Sequence, residues 1–398
     1  MVVVTALQRH GAAATDLRGN ALNHACAASA ASRPGDRESH TVTMTHVLAD
    51  RALYERLDLS GMHTLIAQLP DQCREAWAAG QRWALPDSLR RPSRVVVVGM
   101  GGSAIGAEVV SSIAARLSTV PVTIVRGYTP PPTDADTLVI ATSYSGETEE
   151  TLEAFQRTLV EPSMHLAMTT GGRLARLGDS LGYDVFGFEF SGPPRAAIGW
   201  GVFPLMAILQ RLGALPLETS AVEATFAELD QCAADWGIDV PLEDNAAKQI
   251  ATALHGRIPV IVGSEMLEVA ARRWAGQMSE NAKQWALHVA LPEMNHNLIV
   301  GLAAPAIARE ALHGVILDSR AVHERTRLRV QLTADAMNTA AIPHHELMIG
   351  GTHPLDSVLR ACYLGDWVSL YLAMLNEVNP TPVPAVDQLK IALNGHRH

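Results

Sequence analysis

The order of apolar runs and turns predicts an α/β protein with two doubly wound parallel sheets in succession. Two observations carry that prediction. From Arg94 an apolar run, Val95 to Val98, breaks into Gly99, Gly101 and Gly102 and then into an Ala-, Ile- and Val-rich helical pattern, which reads as strand, tight turn, helix. The same order returns at Leu138–Thr142, where SYSGET leads into a helix with carboxylates in its first turn, and again at Ile258–Val262, where Gly263 and Ser264 lead into a long helical pattern. Its return in the second half of the chain suggests a weak internal duplication.

Taken in order, residues 1–43 are rich in Ala, Ser, Arg and His, have no apolar h-region, and are expected to be a disordered extension with Met44 as the functional start. Residues 44–93 form a helical leader closed by Pro86 and Pro92. Residues 94–216 hold the first sheet, with strands at Arg94, Val122–Val125, Leu138–Thr142, His165–Thr169 and Tyr183–Phe188, and helices between them. Residues 217–378 comprise linking helices and the second sheet, with a helix expected from Met266 to Trp285 and strands near Val289, Val315–Leu317 and Leu347–Ile349. Residues 379–398 form a short terminal helix carrying Lys390.

The 398 residues suffice for two domains with separate cores. A hydrophobic content of 48% with 18% charged residues is ordinary for a soluble α/β chain. The net charge of −10, with no clustered Lys and Arg, argues against a nucleic-acid surface. No apolar run approaches the roughly twenty residues that span a membrane. Four widely spaced cysteines without a CxxC pair suggest neither a disulfide framework nor a structural zinc, so a cytoplasmic location is expected.

The two glycine- and hydroxyl-rich turns point to an anionic ligand, because helix N-termini present unpaired N–H groups and a partial positive charge. The Walker pattern fails for want of a lysine, and GxGGxxxG is not the dinucleotide fingerprint. Ser143, Ser145 and Thr148 can face one side of their turn, a cluster suited to phosphate oxygens. Either turn alone could be a capping turn that binds nothing; the pair favours a ligand. Between Ser279 and Gly301, Glu280 and Lys283 are three apart on a helix and could form a surface ion pair; Trp274, Met278 and Trp285 make that helix apolar, so a partly buried carboxylate needs a partner or a purpose. His296 stands in a polar turn, and the two together make a plausible acid and base. Arg195, just before a helix, is either solvated or a fixed cation for a crevice. His344, His345 and His353 lack carboxylates in a ligand pattern and do not suggest zinc.

The segments GMGGSAIG, SYSGETEET, PPRAA, SENAKQWA, LPEMNHN and NPTPVPAVDQLK, in that order, resemble the bifunctional phosphoglucose/phosphomannose isomerase family, from about Met44 to Leu393. The resemblance implies two SIS (sugar isomerase) domains of flavodoxin-like three-layer αβα form. It also implies interconversion of glucose 6-phosphate or mannose 6-phosphate with fructose 6-phosphate through a cis-enediol, without metal or cofactor. Carried over, Glu280 becomes the base, His296 assists ring opening, Lys390 lies near the ring oxygen, and Arg195 steadies the enediolate. Gly102, Ser103, Ser143, Ser145 and Thr148 would hold the phosphate, and a homodimer would place the histidine in the partner's site. Two departures stand out: Glu147 replaces an uncharged residue beside the phosphate turn, and Leu298 replaces a glutamate after the histidine. Alternatives are an isomerase of another sugar phosphate in a biosynthetic pathway and a non-catalytic sugar-phosphate sensor; the absence of a helix-turn-helix signal and the joint presence of Glu280, His296 and Lys390 disfavour the sensor.

Overall fold

The computed structural model describes residues 47–351 and 353–394. The disordered extension and start expected at residues 1–43 and Met44 lie outside them.

The described part of the leader includes the helices α1 (Arg51–Leu57), α2 (Met62–Ala67) and α3 (Leu69–Arg82). Sheet one then forms from β1 (Arg94–Gly99), α4 (Gly101–Leu117), β2 (Val122–Val125), β3 (Thr137–Thr142), α5 (Glu149–Thr158), β4 (Met164–Thr169), α6 (Gly172–Leu181) and β5 (Asp184–Gly187). All its pairings are parallel, in the order β2-β1-β3-β4-β5, which is the flavodoxin-like order. Helices α7 (Ile198–Arg211), α8 (Thr219–Trp236) and α9 (Ala246–Leu254) lead to sheet two. That sheet comprises β6 (Ile258–Ser264), α10 (Leu267–Ala282), β7 (Leu287–Leu291), α11 (Ala308–Ala311), β8 (Leu312–Ser319), α12 (Glu324–Thr339) and β9 (His344–Ile349). Among the described residues it has four strands, also parallel, in the order β7-β6-β8-β9, which repeats the winding of the first sheet. The chain ends in α13 (Pro354–Leu375) and α14 (Pro384–Asn394).

Side chains alternate across the strands and sort the core into layers. Val96, Val98, Val139 and Ala141 face outward onto α5 and α6. Val262 and Ile316 face outward onto α12 through Val330, Ala334 and Met337. The opposite faces, through Val95, Val97, Ile140, Ile261, Val315 and Leu317, join one continuous apolar cluster with the helices between the sheets. Separate cores were expected. Instead the two sheets share a central layer, because α4, α7, α10 and α13 are apolar on more than one side: α4 packs against α7, α10 and α13, and α10 packs against α13.

Helix α13 is long and apolar enough to cross a membrane, although Ser357, Asp366 and Ser369 interrupt its apolar run. Its apolar window is 89% buried inside the protein, as the middle of that layer.

Helix ends differ from expectation at two informative places. The α10 helix stops at Ala282, with Lys283 in the left-handed region (φ 55°), so Trp285 lies beyond the helix and is 70% exposed rather than buried. The helix after SYSGET starts at Glu149, with Thr148 as its N-cap.

Candidate functional site

The chain leaves β1 toward one side of sheet one and β3 toward the other, so the crevice between their carboxyl ends is the switch point where doubly wound sheets bind ligands. The two turns singled out in the sequence, Gly99–Ser103 and Ser143–Thr148, are its walls. Neither Met100, the N-cap of α4, nor Thr148, the N-cap of α5, makes a side-chain capping bond. Both helices therefore present uncapped N–H groups and the positive end of the dipole, the arrangement that receives an anion.

Hydroxyls join the two turns. The Tyr144 N–H donates to Ser103 Oγ (3.1 Å), and Ser143 Oγ lies 3.0 Å from Thr148 Oγ1 while accepting the Gly146 N–H at 3.1 Å. Ser145 lies between them in the turn, its Oγ accepting the Glu147 N–H at 3.2 Å. Gly146 holds φ 65°, a conformation that costs a side-chain-bearing residue dearly, and this tight turn brings Ser143 and Thr148 together. A Cβ at Gly102 would stand 3.1 Å from the Pro194 carbonyl oxygen and 3.4 Å from Arg195 Cα, so glycine lets the first turn touch the segment that carries the arginine. Gly102, Ser103, Ser143, Tyr144, Pro194 and Trp200 line a cleft at this point.

Glu147 does not face the cradle unpaired. Its Oε1 accepts the Arg173 N–H (2.6 Å) and an Arg176 Nη2–H (3.3 Å), and Arg173 Nε lies 3.8 Å from Oε2. The carboxylate thus serves the N-terminus of α6 and is matched by two cations.

Arg195 sits in a 3₁₀ turn, Pro194–Ala196, and is 5% exposed. Its Nη1 donates to Glu280 Oε2 at 3.3 Å, Nε to Asn281 Oδ1 at 2.6 Å, and Nη2 to the carbonyls of Pro380 and Thr381, both at 2.7 Å. From behind, Arg273 Nη2 donates to the Arg195 carbonyl at 2.8 Å and is itself fixed by Asp366, whose Oδ1 also accepts from Gln277 at 2.8 Å. Burial lowers the pKa of the Arg195 guanidinium and Glu280 offsets it, with Arg273 adding to the depression. The Glu280 side chain is 42% exposed, so the pair is anchored on its arginine side and open on its carboxylate side. An accessible carboxylate beside a rigid cation and an anion cradle can take a proton from a bound phosphorylated substrate while the cation meets the charge left behind.

Asn281, Arg273 and Asp366 take part in this site, or brace it, without a signal read from the sequence, and Lys283, read there only as a surface ion-pair partner of Glu280, also borders it. Arg273, Gln277, Glu280 and Asn281 recur at helical spacing along α10, a polar stripe on an otherwise buried helix, and that pattern was there to be read. The carbonyls of Pro380 and Thr381 carried no side-chain signal.

Two expected site residues stand apart. His296 closes a 3₁₀ turn after β7, Glu293–His296, and its exposed ring has no hydrogen-bond or ion-pair partner among the described residues. Lys390 lies on α14, where every residue from Pro384 to Leu393 is exposed. Of the three histidines considered for zinc, His345 pairs with His313, His353 caps α13 through the Leu355 N–H, and His344 lies in β9.

Two flavodoxin-like parallel sheets with a hydroxyl-lined anion cradle at the switch point define a sugar isomerase (SIS) protein. Residues 243–393 match the bacterial phospho-glucose isomerase C-terminal SIS domain. The chain is 35% identical to a bifunctional phosphoglucose/phosphomannose isomerase of Caldicellulosiruptor bescii over 83% of its own length and 98% of the relative's, and 31% identical to one of Aquifex aeolicus over 76% and 91%. It belongs to the bifunctional phosphoglucose/phosphomannose isomerase family. Among solved structures, a hypothetical protein of Thermus thermophilus shares the fold, with a TM-score of 0.70 at 18% identity over 91% of this chain and 96% of that one.

Proposed function

We propose that this enzyme interconverts glucose 6-phosphate and mannose 6-phosphate with fructose 6-phosphate, with Glu280 moving a proton between C1 and C2 of an enediol intermediate. The observation that carries the reading is the Arg195–Glu280 contact at 3.3 Å, in a segment that touches the phosphate cradle through Gly102. Region 94–216 holds the phosphate through Gly102, Ser103, Ser143, Ser145 and Thr148; region 217–378 supplies the base. Binding energy at the phosphate positions the reacting carbons, and the buried guanidinium offsets the enediolate charge as the proton leaves.

His296 and Lys390 complete the site in a homodimer, where His296 serves the partner's sugar ring. This is supported by Trp285, Leu298, Val300 and Ile307, which are 70%, 55%, 86% and 64% exposed on the stretch that also carries His296. Large apolar side chains gathered on one stretch of surface mark an interaction face. The three described cysteines are free and buried, which suits a reducing cytoplasm.

The test is a coupled assay of the purified protein on both aldose phosphates, with and without chelator, alongside Glu280→Gln. Turnover of both substrates that survives chelation is expected. The variant should lose roughly 10²–10⁴-fold in kcat while binding fructose 6-phosphate with unchanged affinity. Wild-type-like turnover in that variant removes Glu280 from the role of base.

A further inference from the structure

Lys283 is a cation within the proposed site to which the reaction as described assigns no task. It is the first residue after α10, three positions beyond Glu280, and it adopts φ 55°. Glycine and asparagine are the usual occupants of that left-handed position, because a larger side chain is strained there. Strain of this kind persists where surrounding contacts hold it. Here they do: Lys283 Nζ donates to the backbone carbonyl of Glu280 and, at 3.3 Å, to that of Pro380. The Pro380 carbonyl is the same oxygen that accepts from Arg195 Nη2. Two cations from different parts of the chain therefore converge on one short segment, and α14, carrying Lys390, starts only a few residues beyond it.

We propose that Lys283 is a positioning residue of the isomerase site: its ammonium straps the Pro380–Thr381 segment to the end of the helix that carries Glu280. The strap fixes the approach of α14 and the placement of Arg195 together, and this part of the inference rests on the isomerase reading above. The charged groups facing Lys283 are Glu280, from its own helix, and Arg195, from the turn before α7; the Pro380 segment contributes carbonyls only. Burial, with Arg195 beside it, pushes the ammonium down to about 8, against the smaller opposing pull of Glu280. The strap consequently loses its charge as pH rises through that value, well before a free lysine side chain would.

The test is the pH dependence of kcat and KM for the wild type, Lys283→Arg and Lys283→Met, with thermal melts as the folding control. In the wild type an alkaline limb near pH 8 is expected. Lys283→Arg should keep most of the activity and carry no such limb. Lys283→Met should lose about tenfold or more in kcat through misplacement, with KM changed less than threefold and no limb. Unchanged kcat and the same limb in Lys283→Met overturn the proposal. An NMR titration of the ¹³C-lysine-labelled protein, with Lys283 assigned from its absence in Lys283→Arg, reads the strap without turnover. A midpoint near 8 that rises in Arg195→Met supports the strap, and a midpoint at the free-lysine value, about 10.4, overturns it. If the wild type turns over neither aldose phosphate, the isomerase reading falls while the titration still decides the strap.

Discussion

The guanidinium of Arg195 is the most constrained group of the site. Its donors go to one carboxylate, one amide and two carbonyls, and it is 5% exposed. Lysine has neither the planar fork nor enough donors in fixed directions to replace it. Arg195→Lys is therefore expected to lose roughly 10²–10³-fold in kcat, the size of effect seen when one preorganised stabiliser of a developing oxyanion is removed, while KM for fructose 6-phosphate stays within about fivefold because the cradle is intact. Steady-state kinetics check both values. The arginine was visible in the sequence as PPRAA, but its partners were not, since Glu280 and Thr381 are distant in the chain and meet it only through the packing of α10 and the 379–381 segment.

Among the elements, the β8–β9 pair carries an acid-sensitive contact. His313 is 5% exposed and its Nε2 stands 2.9 Å from His345 Nδ1. Burial, then His345, Arg257 and His344, push His313 down to about 4. Since the folded value lies below that of the unfolded chain, the unfolded state takes up a proton between about pH 6.5 and 4 that the native state refuses. Stability is thus lost as pH falls through that window, by roughly 3 kcal/mol at most for this residue. Denaturant melts at pH 7 and pH 5 should show a loss that is smaller in His313→Phe than in the wild type. The sequence showed three histidines near this strand and no metal pattern; the sheet register that pairs β8 with β9 decided which two meet. Strand and helix positions were otherwise legible from periodicity, and the misplaced end of α10 traces to Lys283 holding a conformation that lysine rarely adopts.

For the whole molecule, the sheets share one apolar middle layer, so neither is an independent unit of stability; α13, Pro354–Leu375, lies at its centre. The outer surface carries exposed polar and apolar groups together. His296 is unpartnered among the described residues, the exposed residues of α14 include Leu389, Ile391 and Leu393, and Trp285, Val300 and Ile307 stand in water. If two copies share their sites, mixing Glu280→Gln with His296→Asn under conditions that exchange subunits should restore activity. Half of the dimers would be mixed, each with one intact site, so about a quarter of wild-type activity should return. No recovery, despite mixed dimers seen by mass spectrometry, shows that each chain completes its own site.

By itself the sequence determined the α/β winding, the two glycine- and hydroxyl-rich turns at the switch point and the family, because these depend on local periodicity, on glycines at tight positions and on motifs in a set order. The tertiary structure decided what those motifs face. It set Glu147 against Arg173 and Arg176, drew Arg195 and Glu280 into contact beside Gly102, and joined the inner faces of both sheets in one shared apolar layer. Contacts between residues far apart in the chain depend on how buried helices stack, and periodicity along a single helix records which face is apolar but not which neighbour covers it.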